Sequence, residues 1–271
     1  MPASIGKSIG IVGCGAIGKA LLLAAQSGGM TVTIAGITSR GESNAQDFLA
    51  TLREPPPYLE RSQLIARSDL VIETAGGHVV PELAKETFAA GKDFMVISIG
   101  ALLDHPEIIE LSRQAGCRLL APSGAIAGLD GIKSACAGQV DHVVMVSRKP
   151  PQALEGAPYL VEREMSLSGL DHELEIFHGS AREACQGFPA NLNVSAAVSL
   201  AGIGPDRTQV KIVAVPGLER NCHDIEVKGE FGLLNIHIEN IPSDNPRTGK
   251  LTAMSIIRSV NDAFDTVSIG T

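Results

Sequence analysis

The chain has 271 residues, of which 44% are hydrophobic and 19% are charged, and its formal net charge is −8 at pH 7. This length and composition are typical of a globular protein with one large or two medium domains, each with its own hydrophobic core. The negative charge, with no Lys- or Arg-rich block, argues against nucleic acid or a membrane as partner. The lack of a signal-peptide pattern or an apolar run long enough to span a membrane predicts a cytoplasmic protein.

The first predicted elements are a strand and a helix joined by a glycine-rich turn. The apolar run at residues 9–12 predicts a buried parallel strand, and residues 19–26, rich in Leu and Ala, predict a helix. Between them lies a G-x-G-x-x-G motif in the context that binds dinucleotides, with the sequence Gly13-Cys14-Gly15-Ala16-Ile17-Gly18. Gly13 would permit the tight turn, Gly15 the approach of a pyrophosphate, and Gly18 the packing of helix on strand. These six residues are therefore predicted cofactor contacts, with a ligand-free glycine turn as the alternative.

The second predicted strand, residues 31–37, bears on the choice between NAD and NADP. In an NAD enzyme the end of this strand normally carries Asp or Glu, which hydrogen-bonds the adenosine ribose. Here the chain reads Thr38-Ser39-Arg40, and no carboxylate occurs before Glu42. A hydroxyl followed by a guanidinium suits a 2′-phosphate. Ser39 and Arg40 are therefore predicted cofactor contacts, and NADP is predicted to serve at least as well as NAD. The alternative for Arg40 is a solvated loop residue.

Strands continue to alternate with helices up to residue 122. Helices are predicted at residues 43–53, 81–90 and 105–115, and strands at residues 69–75, 94–99 and 118–121. This alternation predicts an α/β fold, a Rossmann-type doubly wound parallel sheet over residues 1–122, with ligands at the carboxyl ends of the strands. Ala75, at such an end, is a predicted cofactor contact. His78 is a further candidate for the same cleft, with a helix cap or surface residue as the alternative.

The small residues at 121–128 predict a crossover into a second domain, at residues 123–245. Longer β-like runs at residues 140–148, 208–215, 223–228 and 233–240 are interrupted by one helix, at residues 192–201. They predict a mixed or antiparallel sheet, that is, an α+β substrate domain. The last segment, residues 246–271, contains an amphipathic pattern at 250–264 and is predicted to be a helix that packs back on the first domain.

His223 is the best candidate for proton transfer. A nicotinamide enzyme already has its hydride carrier, so the protein must position the substrate and move a proton. His is the commonest residue for that task, and His223 begins a predicted strand after a polar loop, next to Asp224. The alternative is a surface or structural His, and the weaker candidates are His142, His172, His178 and His237.

Two Asn residues and two cations complete the candidates for ligand contacts. Asn191 and Asn193 lie near a helix start, where they suit either helix caps or contacts to a carboxamide or a carboxylate. Lys133 and Arg148 are available to pair with substrate carboxylates.

The five cysteines are scattered, with neither a C-x-x-C motif nor a His at metal-ligand spacing, so no metal site is predicted.

Seven short blocks of sequence carry a resemblance to a known family. They lie at residues 11–18, 123–130, 188–194, 202–208, 221–223, 229–232 and 240–246. The first block is common to many dehydrogenases, whereas the later blocks are highly specific in combination. In their order along nearly the whole chain, they resemble the L-aspartate dehydrogenase family.

The resemblance implies an oxidoreductase that deaminates L-aspartate to iminoaspartate with NAD or NADP as hydride acceptor. Iminoaspartate then gives oxaloacetate and ammonia, or feeds quinolinate and NAD synthesis. The family's catalytic His falls on His223, and its cofactor contacts fall on the backbone around Ala125 and on Asn191, with Asn193 as a second candidate.

Two other classes of function stay open at this point. One is another reductase, either dihydrodipicolinate-reductase-like or semialdehyde-dehydrogenase-like. The latter would need Cys136 as nucleophile, although the sequence around Cys136 predicts a buried helix. The other is a non-catalytic NADP(H) sensor. A homodimer is expected from the base rate of soluble oligomers.

Overall fold

The chain folds as two units, each built on its own five-stranded sheet. The computed structural model describes residues 6–189, 193–242 and 249–270. The first unit comprises Met1–Pro122 with Ala253–Ser268, and the second comprises Ser123–Thr252 with Ile269–Thr271.

The first unit has a parallel sheet. Its strands are β1 (Ser8–Val12), β2 (Thr33–Thr38), β3 (Leu70–Glu73), β4 (Asp93–Val96) and β5 (Leu119–Leu120). They are hydrogen-bonded in the order β2-β1-β3-β4-β5, and every neighbouring pair is parallel. The order reverses between β1 and β3, and in such sheets ligands bind beyond the carboxyl ends of the strands at this reversal. The predicted Rossmann-type fold is confirmed.

Helices connect these strands, since a parallel pair needs a crossover. They are α1 (Ala16–Gln26), α2 (Glu42–Leu49), α3 (Arg61–Arg67), α4 (Val80–Ala89), α5 (Ala101–Asp104) and α6 (Glu107–Ala115). A 3₁₀ turn at Gly77–Val79 precedes α4. The sequence did not predict α3, and the helix predicted at residues 43–53 ends earlier, at Leu49.

The second unit has a mixed sheet with helices, as predicted for an α+β domain. Its strands are β6 (Val140–Lys149), β7 (Leu174–Ser180), β8 (Gln209–Ala214), β9 (Asn221–Gly229) and β10 (Gly232–Asn240). Their order is β10-β9-β6-β8-β7, in which only the β6–β8 pair is parallel. The helices are α7 (Leu129–Ala135), α8 (Pro151–Leu154), α9 (Pro158–Glu162), α10 (Ala181–Gly187) and α11 (Asn193–Ala201). The sequence did not predict β7 and α10.

The C-terminal helix α12 (Lys250–Asp262) contributes to the core of the first unit. Its Ile256 and Val260 are fully buried in the same cluster as Ile9 and Ile11 of β1. Asn261 hydrogen-bonds the helix to the segment before β2, because its Oδ1 accepts from the Thr31 N–H at 3.1 Å and its Nδ2 donates to the Gly29 carbonyl at 3.0 Å.

Within the described ranges, none of the helices has the length and apolar character needed to span a bilayer.

A bulge at the start of β6 decides which of its side chains face the interior. The register with β9 shifts between Val140 and His142, and such an extra residue turns the following side chains to the other face. The inward positions are therefore Val143, Met145, Ser147 and Lys149, all of which are buried. Arg148 lies on the opposite, half-exposed face.

Candidate active site

The glycine loop after β1 is built for a close turn. Gly13 has a φ of +113°, which L side chains rarely adopt, and a Cβ there would come within 2.6 Å of the Thr74 carbonyl carbon. A Cβ on Gly18, in the first turns of α1, would lie 2.3 Å from the Gly13 carbonyl oxygen. The strand and helix can approach this closely only without those side chains.

The N-terminus of α1 can accept an anion. Gly15 is the N-cap, no side chain caps the helix, and no acidic residue lies in its first turn. A Cβ on Gly15 would have no atom within 4 Å, so the space in front of the loop is open. The first N–H groups of a helix have no acceptor within it and carry the positive end of the helix dipole. These residues therefore fit the pyrophosphate of a dinucleotide.

A cleft of about 610 Å³ opens at the carboxyl ends of β1, β2 and β3. Its lining contains most of the predicted cofactor residues of this unit, namely Gly13, Cys14, Gly15, Ser39, Arg40, Ala75 and also His78. Ala16, Ile17 and Gly18 form the start of α1 and are not part of the lining. The sequence reasoning missed Asn44, Arg61 and Thr74, which also line the cleft.

Two cations line this cleft, Arg40 after β2 and Arg61 at the start of α3. Arg40 is exposed, and Arg61 enters from α3 while its guanidinium pairs with Glu86 at 2.9 Å. Tyr58 holds the backbone beside them, because its hydroxyl donates to the Ser39 carbonyl at 2.5 Å and accepts from the Ser39 N–H at 3.3 Å. Glu60 is the acidic residue of the lining.

Glu73 joins two of the loops at the carboxyl edge of the first sheet. This carboxylate is fully buried at the end of β3. Its Oε1 accepts from the N–H groups of Ala75 and Gly76, both at 2.7 Å, and from the Ser98 hydroxyl at 3.1 Å. Its Oε2 accepts from the N–H groups of Ile97 and Ser98 at 3.2 and 2.9 Å. One side chain therefore fixes the loops after β3 and β4.

His223 lies on the inward face of the second sheet and is 2% exposed. In the register, Ser147 of β6 lies directly across from it on one side and Ile238 of β10 on the other. Three buried polar atoms on this face lack a hydrogen-bond partner among the described residues, namely Ser147 Oγ, Asn221 Oδ1 and His223 Nδ1. Buried polar groups are nearly always satisfied in folded proteins, so this cluster is suited to receive a polar ligand.

Burial sets the charges on this face. It lowers the pKa of His223 to about 3, with a contribution from the nearby Lys149 ammonium, while Asp224 acts in the opposite direction. Burial also lowers the pKa of Lys149 to about 8. Near pH 7 the imidazole is therefore neutral and the ammonium is predominantly charged. The face offers a base and a cation, of which the sequence reasoning found only the base.

One further contact positions a predicted cofactor residue of the second unit. Asn240, which lies across from Asn221 in the register, donates its Nδ2 to the Ala125 carbonyl at 2.9 Å and so holds the predicted cofactor contact Ala125. Asn193 is half-buried at the start of α11. Asn191 lies outside the described residues.

An aromatic cluster holds Phe188, the first residue of the sequence block at 188–194. Phe188 is fully buried, stacks on Tyr159 with ring centroids 5.3 Å apart, and meets Phe177 edge-on at 5.8 Å. The helix before it, α10, is fixed by a capping box in which Ser180 and Glu183 bond each other's backbone N–H groups. Phe188 itself is therefore held in place by packing.

The remaining cationic candidates of the second unit lie away from the inward face. Arg148 and His237 both pair with Asp224, and His237 Nδ1 is 2.6 Å from that carboxylate. His142 pairs with Glu226 at 2.9 Å, and Lys133 is exposed on α7. Cys136 is the C-cap of α7, so the predicted helix is present and the half-buried cysteine lies at its end. No cluster of metal-binding side chains occurs in the described part of the chain.

Comparisons with known proteins match two parts of the chain to family models. Residues 13–122 match the family model described as homoserine dehydrogenase, NAD binding domain, and residues 130–263 match the model described as aspartate dehydrogenase, C-terminal. The first match confirms the predicted cofactor class, NAD or NADP. The fold resembles that of the aspartate dehydrogenase from Thermotoga maritima, with a TM-score of 0.76 and 24% identity over 97% of this chain and 99% of that chain.

Relatives of known family align over nearly the whole length. L-aspartate dehydrogenase 3 from Bordetella bronchiseptica is 42% identical over 97% of both chains. The L-aspartate dehydrogenase from Bradyrhizobium diazoefficiens is 41% identical over 99% of this chain and 96% of its own, and that from Methanosarcina acetivorans is 41% identical over 97% and 99%. With this identity along the full chain, the protein belongs to the L-aspartate dehydrogenase family of oxidoreductases.

Proposed function

We propose that this protein oxidises L-aspartate to iminoaspartate with NAD or NADP and releases oxaloacetate and ammonia after hydrolysis. The observation that carries the proposal is the inward face of the second sheet, where the neutral His223 lies among buried polar atoms that have no partner in the described residues. The relatives named L-aspartate dehydrogenase support the choice of substrate.

The reaction removes a hydride from C2 of aspartate and a proton from its ammonium group. NAD or NADP, when bound, supplies the hydride acceptor. His223 accepts the proton at an imidazole nitrogen, and the lone pair freed on the substrate nitrogen forms the C=N bond as the hydride leaves C2. The Asn221 Oδ1 is an acceptor that suits the ammonium group.

Hydrolysis of the iminium product uses the same base. His223 first releases the proton that it took from the substrate to solvent. Water then adds to C2, and the neutral His223 transfers a proton from the added water to the nitrogen. The nitrogen departs as ammonia when the carbonyl of oxaloacetate forms, and the proton of the hydroxyl converts it to ammonium. Relative to aspartate with a protonated amine, the whole reaction consumes one water and releases an ammonium ion and one proton besides the hydride.

The test is turnover by the purified protein, followed by the absorbance of the reduced nicotinamide. L-aspartate is expected to support reduction of NADP or NAD, whereas D-aspartate and L-malate are not. His223→Gln is expected to lower kcat by at least about 100-fold, the usual contribution of a general base, with NADPH binding unchanged.

Two results would refute the proposal. NADPH binding without turnover of L-aspartate, or of oxaloacetate with ammonium, would indicate a sensor. Turnover of a different substrate would indicate another reductase.

We further propose that NADP is used at least as well as NAD. Ser39, Arg40 and Arg61 line the cleft where β2 ends, and charged guanidiniums there suit a 2′-phosphate. Arg40→Ala is expected to raise KM for NADP by about tenfold, the cost of one charge-assisted hydrogen bond, and to leave KM for NAD nearly unchanged. Arg67→Ala, an exposed Arg that does not line the cleft, is the matched control. Equal effects of Arg40→Ala on both cofactors would contradict the proposal.

The assignment of residues 123–245 as the substrate domain is part of the same proposal. A homodimer, a cytoplasmic location and a supply of iminoaspartate to quinolinate and NAD synthesis remain predictions. Light scattering on the eluted protein tests the first of them. Transfer of iminoaspartate to a quinolinate-forming enzyme in a coupled assay tests the last.

A further inference from the structure

Lys149 brings a buried cation to the face that holds His223. It ends β6, is 2% exposed, and lies two residues beyond Ser147 on the same side of the strand. Its backbone is fixed by β8, because it lies across from Ala214 and its carbonyl accepts from the Val215 N–H at 2.9 Å. The ammonium acts electrostatically on the His223 ring.

The polar groups of this face are complementary to an amino acid that carries a carboxylate. The Lys149 ammonium and the Ser147 hydroxyl can donate to a carboxylate, while Asn221 Oδ1 and the neutral His223 can accept from an ammonium. Ser147 Oγ, Asn221 Oδ1 and His223 Nδ1 have no partner among the described residues. Because little water screens a charge at this depth, an anion here is attracted far more strongly than at the surface.

The two cations named from the sequence do not reach this face. Arg148 lies on the other side of β6, where it pairs with Asp224. Lys133 is exposed on α7. Within the described residues, Lys149 is therefore the cation that shares a face with His223.

We propose that Lys149 binds a carboxylate of the substrate and that this carboxylate, by cancelling the charge of the lysine, turns His223 into an effective base. The inference rests on the proposed function for the identity of the substrate, but it concerns a carboxylate site that can be tested without turnover.

The reason is the balance of charges around the imidazole. Burial and the Lys149 ammonium on β6 both lower the pKa of His223, whereas Asp224, its neighbour on β9, raises it. A carboxylate bound to Lys149 opposes the positive charge and itself favours a protonated imidazole. The proton then passes from the substrate ammonium to His223 only once the substrate is in place. In the free protein, the base stays neutral and weakly basic.

The direct test uses succinate, a dicarboxylate without an amine, and follows the His223 ring by NMR between pH 5 and pH 9. The His223 signal is assigned by its absence in His223→Gln. In the free protein the ring is expected not to titrate in this range, since its pKa is about 3. Saturating succinate is expected to raise the pKa of the ring by at least about two units, a hundredfold gain in proton affinity, so that its titration enters the acid end of this range.

Variants separate charge from packing. Lys149→Met is expected to weaken succinate binding by about 100-fold, the usual effect of removing one partner of a buried charge pair, whereas Lys149→Arg should retain much of the binding. Lys211→Met is the matched control, because Lys211 lies on the opposite face of β8 and pairs with Glu175 at 3.6 Å. An unchanged circular dichroism spectrum and urea-unfolding midpoint show that each variant is folded.

The outcomes distinguish this inference from the proposed function. If succinate binds equally well to Lys149→Met, or binds without any change in the titration of His223, the inference is wrong even when L-aspartate is oxidised. If L-aspartate is not oxidised but succinate still shifts His223 through Lys149, the inference stands and the proposed function falls.

Discussion

Acid should destabilise this protein through one buried histidine, His223. Its pKa is about 3 in the folded protein and near 6.5 once unfolded, because burial penalises the imidazolium. The folded pKa is the lower one, so the unfolded chain binds the proton first as the pH falls. Stability is therefore lost progressively from about pH 6.5 down to the folded pKa.

The size of the effect follows from the two pKa values. Between pH 7 and pH 5 the unfolded imidazole becomes almost fully protonated while the folded one does not, which costs about 2 kcal/mol of unfolding free energy. This figure depends little on the folded value, because that value lies well below pH 5. Removing the histidine removes the loss.

The assay compares wild-type protein with His223→Gln by urea unfolding at pH 7, 6 and 5. The other histidines, including His237, whose pKa is raised by Asp224 and Glu239, titrate alike in both proteins, and the comparison cancels them. The wild type should lose about 2 kcal/mol more than the variant over this range. Parallel pH dependences would refute the reasoning, since they would mean that His223 gains its proton equally easily in both states.

Four further substitutions test the structure around the sites. Glu73→Gln should cost about 2 kcal/mol or more of unfolding free energy, because an amide nitrogen would face backbone N–H donors; urea unfolding measures this, and an unchanged midpoint would contradict it. Gly15→Ala should leave the thermal unfolding midpoint nearly unchanged yet weaken NADPH binding. Gly18→Ala should lower the midpoint, because its Cβ would lie 2.3 Å from the Gly13 carbonyl oxygen. Equal midpoints of the two variants in calorimetry would contradict these different roles of the two glycines. Phe188→Ala should cost about 3 to 5 kcal/mol by emptying the aromatic cluster, and a loss below about 1 kcal/mol would show that the site collapses around it.

The first sheet could be predicted because its signals are local. A glycine turn between an apolar strand and a helix, followed by regular alternation of strands and helices, needs no knowledge of distant contacts. Glu73 shows where this stops. In sequence it is one polar residue at the end of an apolar run, and its second set of donors lies 24 and 25 residues further along the chain.

The candidate site in the second unit could be predicted only in part, because a local signal marks His223 but not Lys149. His223 is marked by its residue type and by its surrounding motif, whereas Lys149 is one of two adjacent cations. Strict alternation from Val140 would turn Arg148 inward, and only the bulge in β6 reverses that choice. Strand β7 was missed because it is a half-exposed edge strand with Glu, His and Gly in its sequence.

The Glu73 carboxylate also sets how the first unit can fluctuate. Because one side chain holds the amides of Ala75, Gly76, Ile97 and Ser98, releasing it frees all four together. Native-state hydrogen exchange should therefore report these amides as a single cooperative opening with one free energy, even though they belong to two loops. A cofactor that contacts either loop would slow hydrogen exchange in both loops. Its effect would therefore extend to amides that it does not contact.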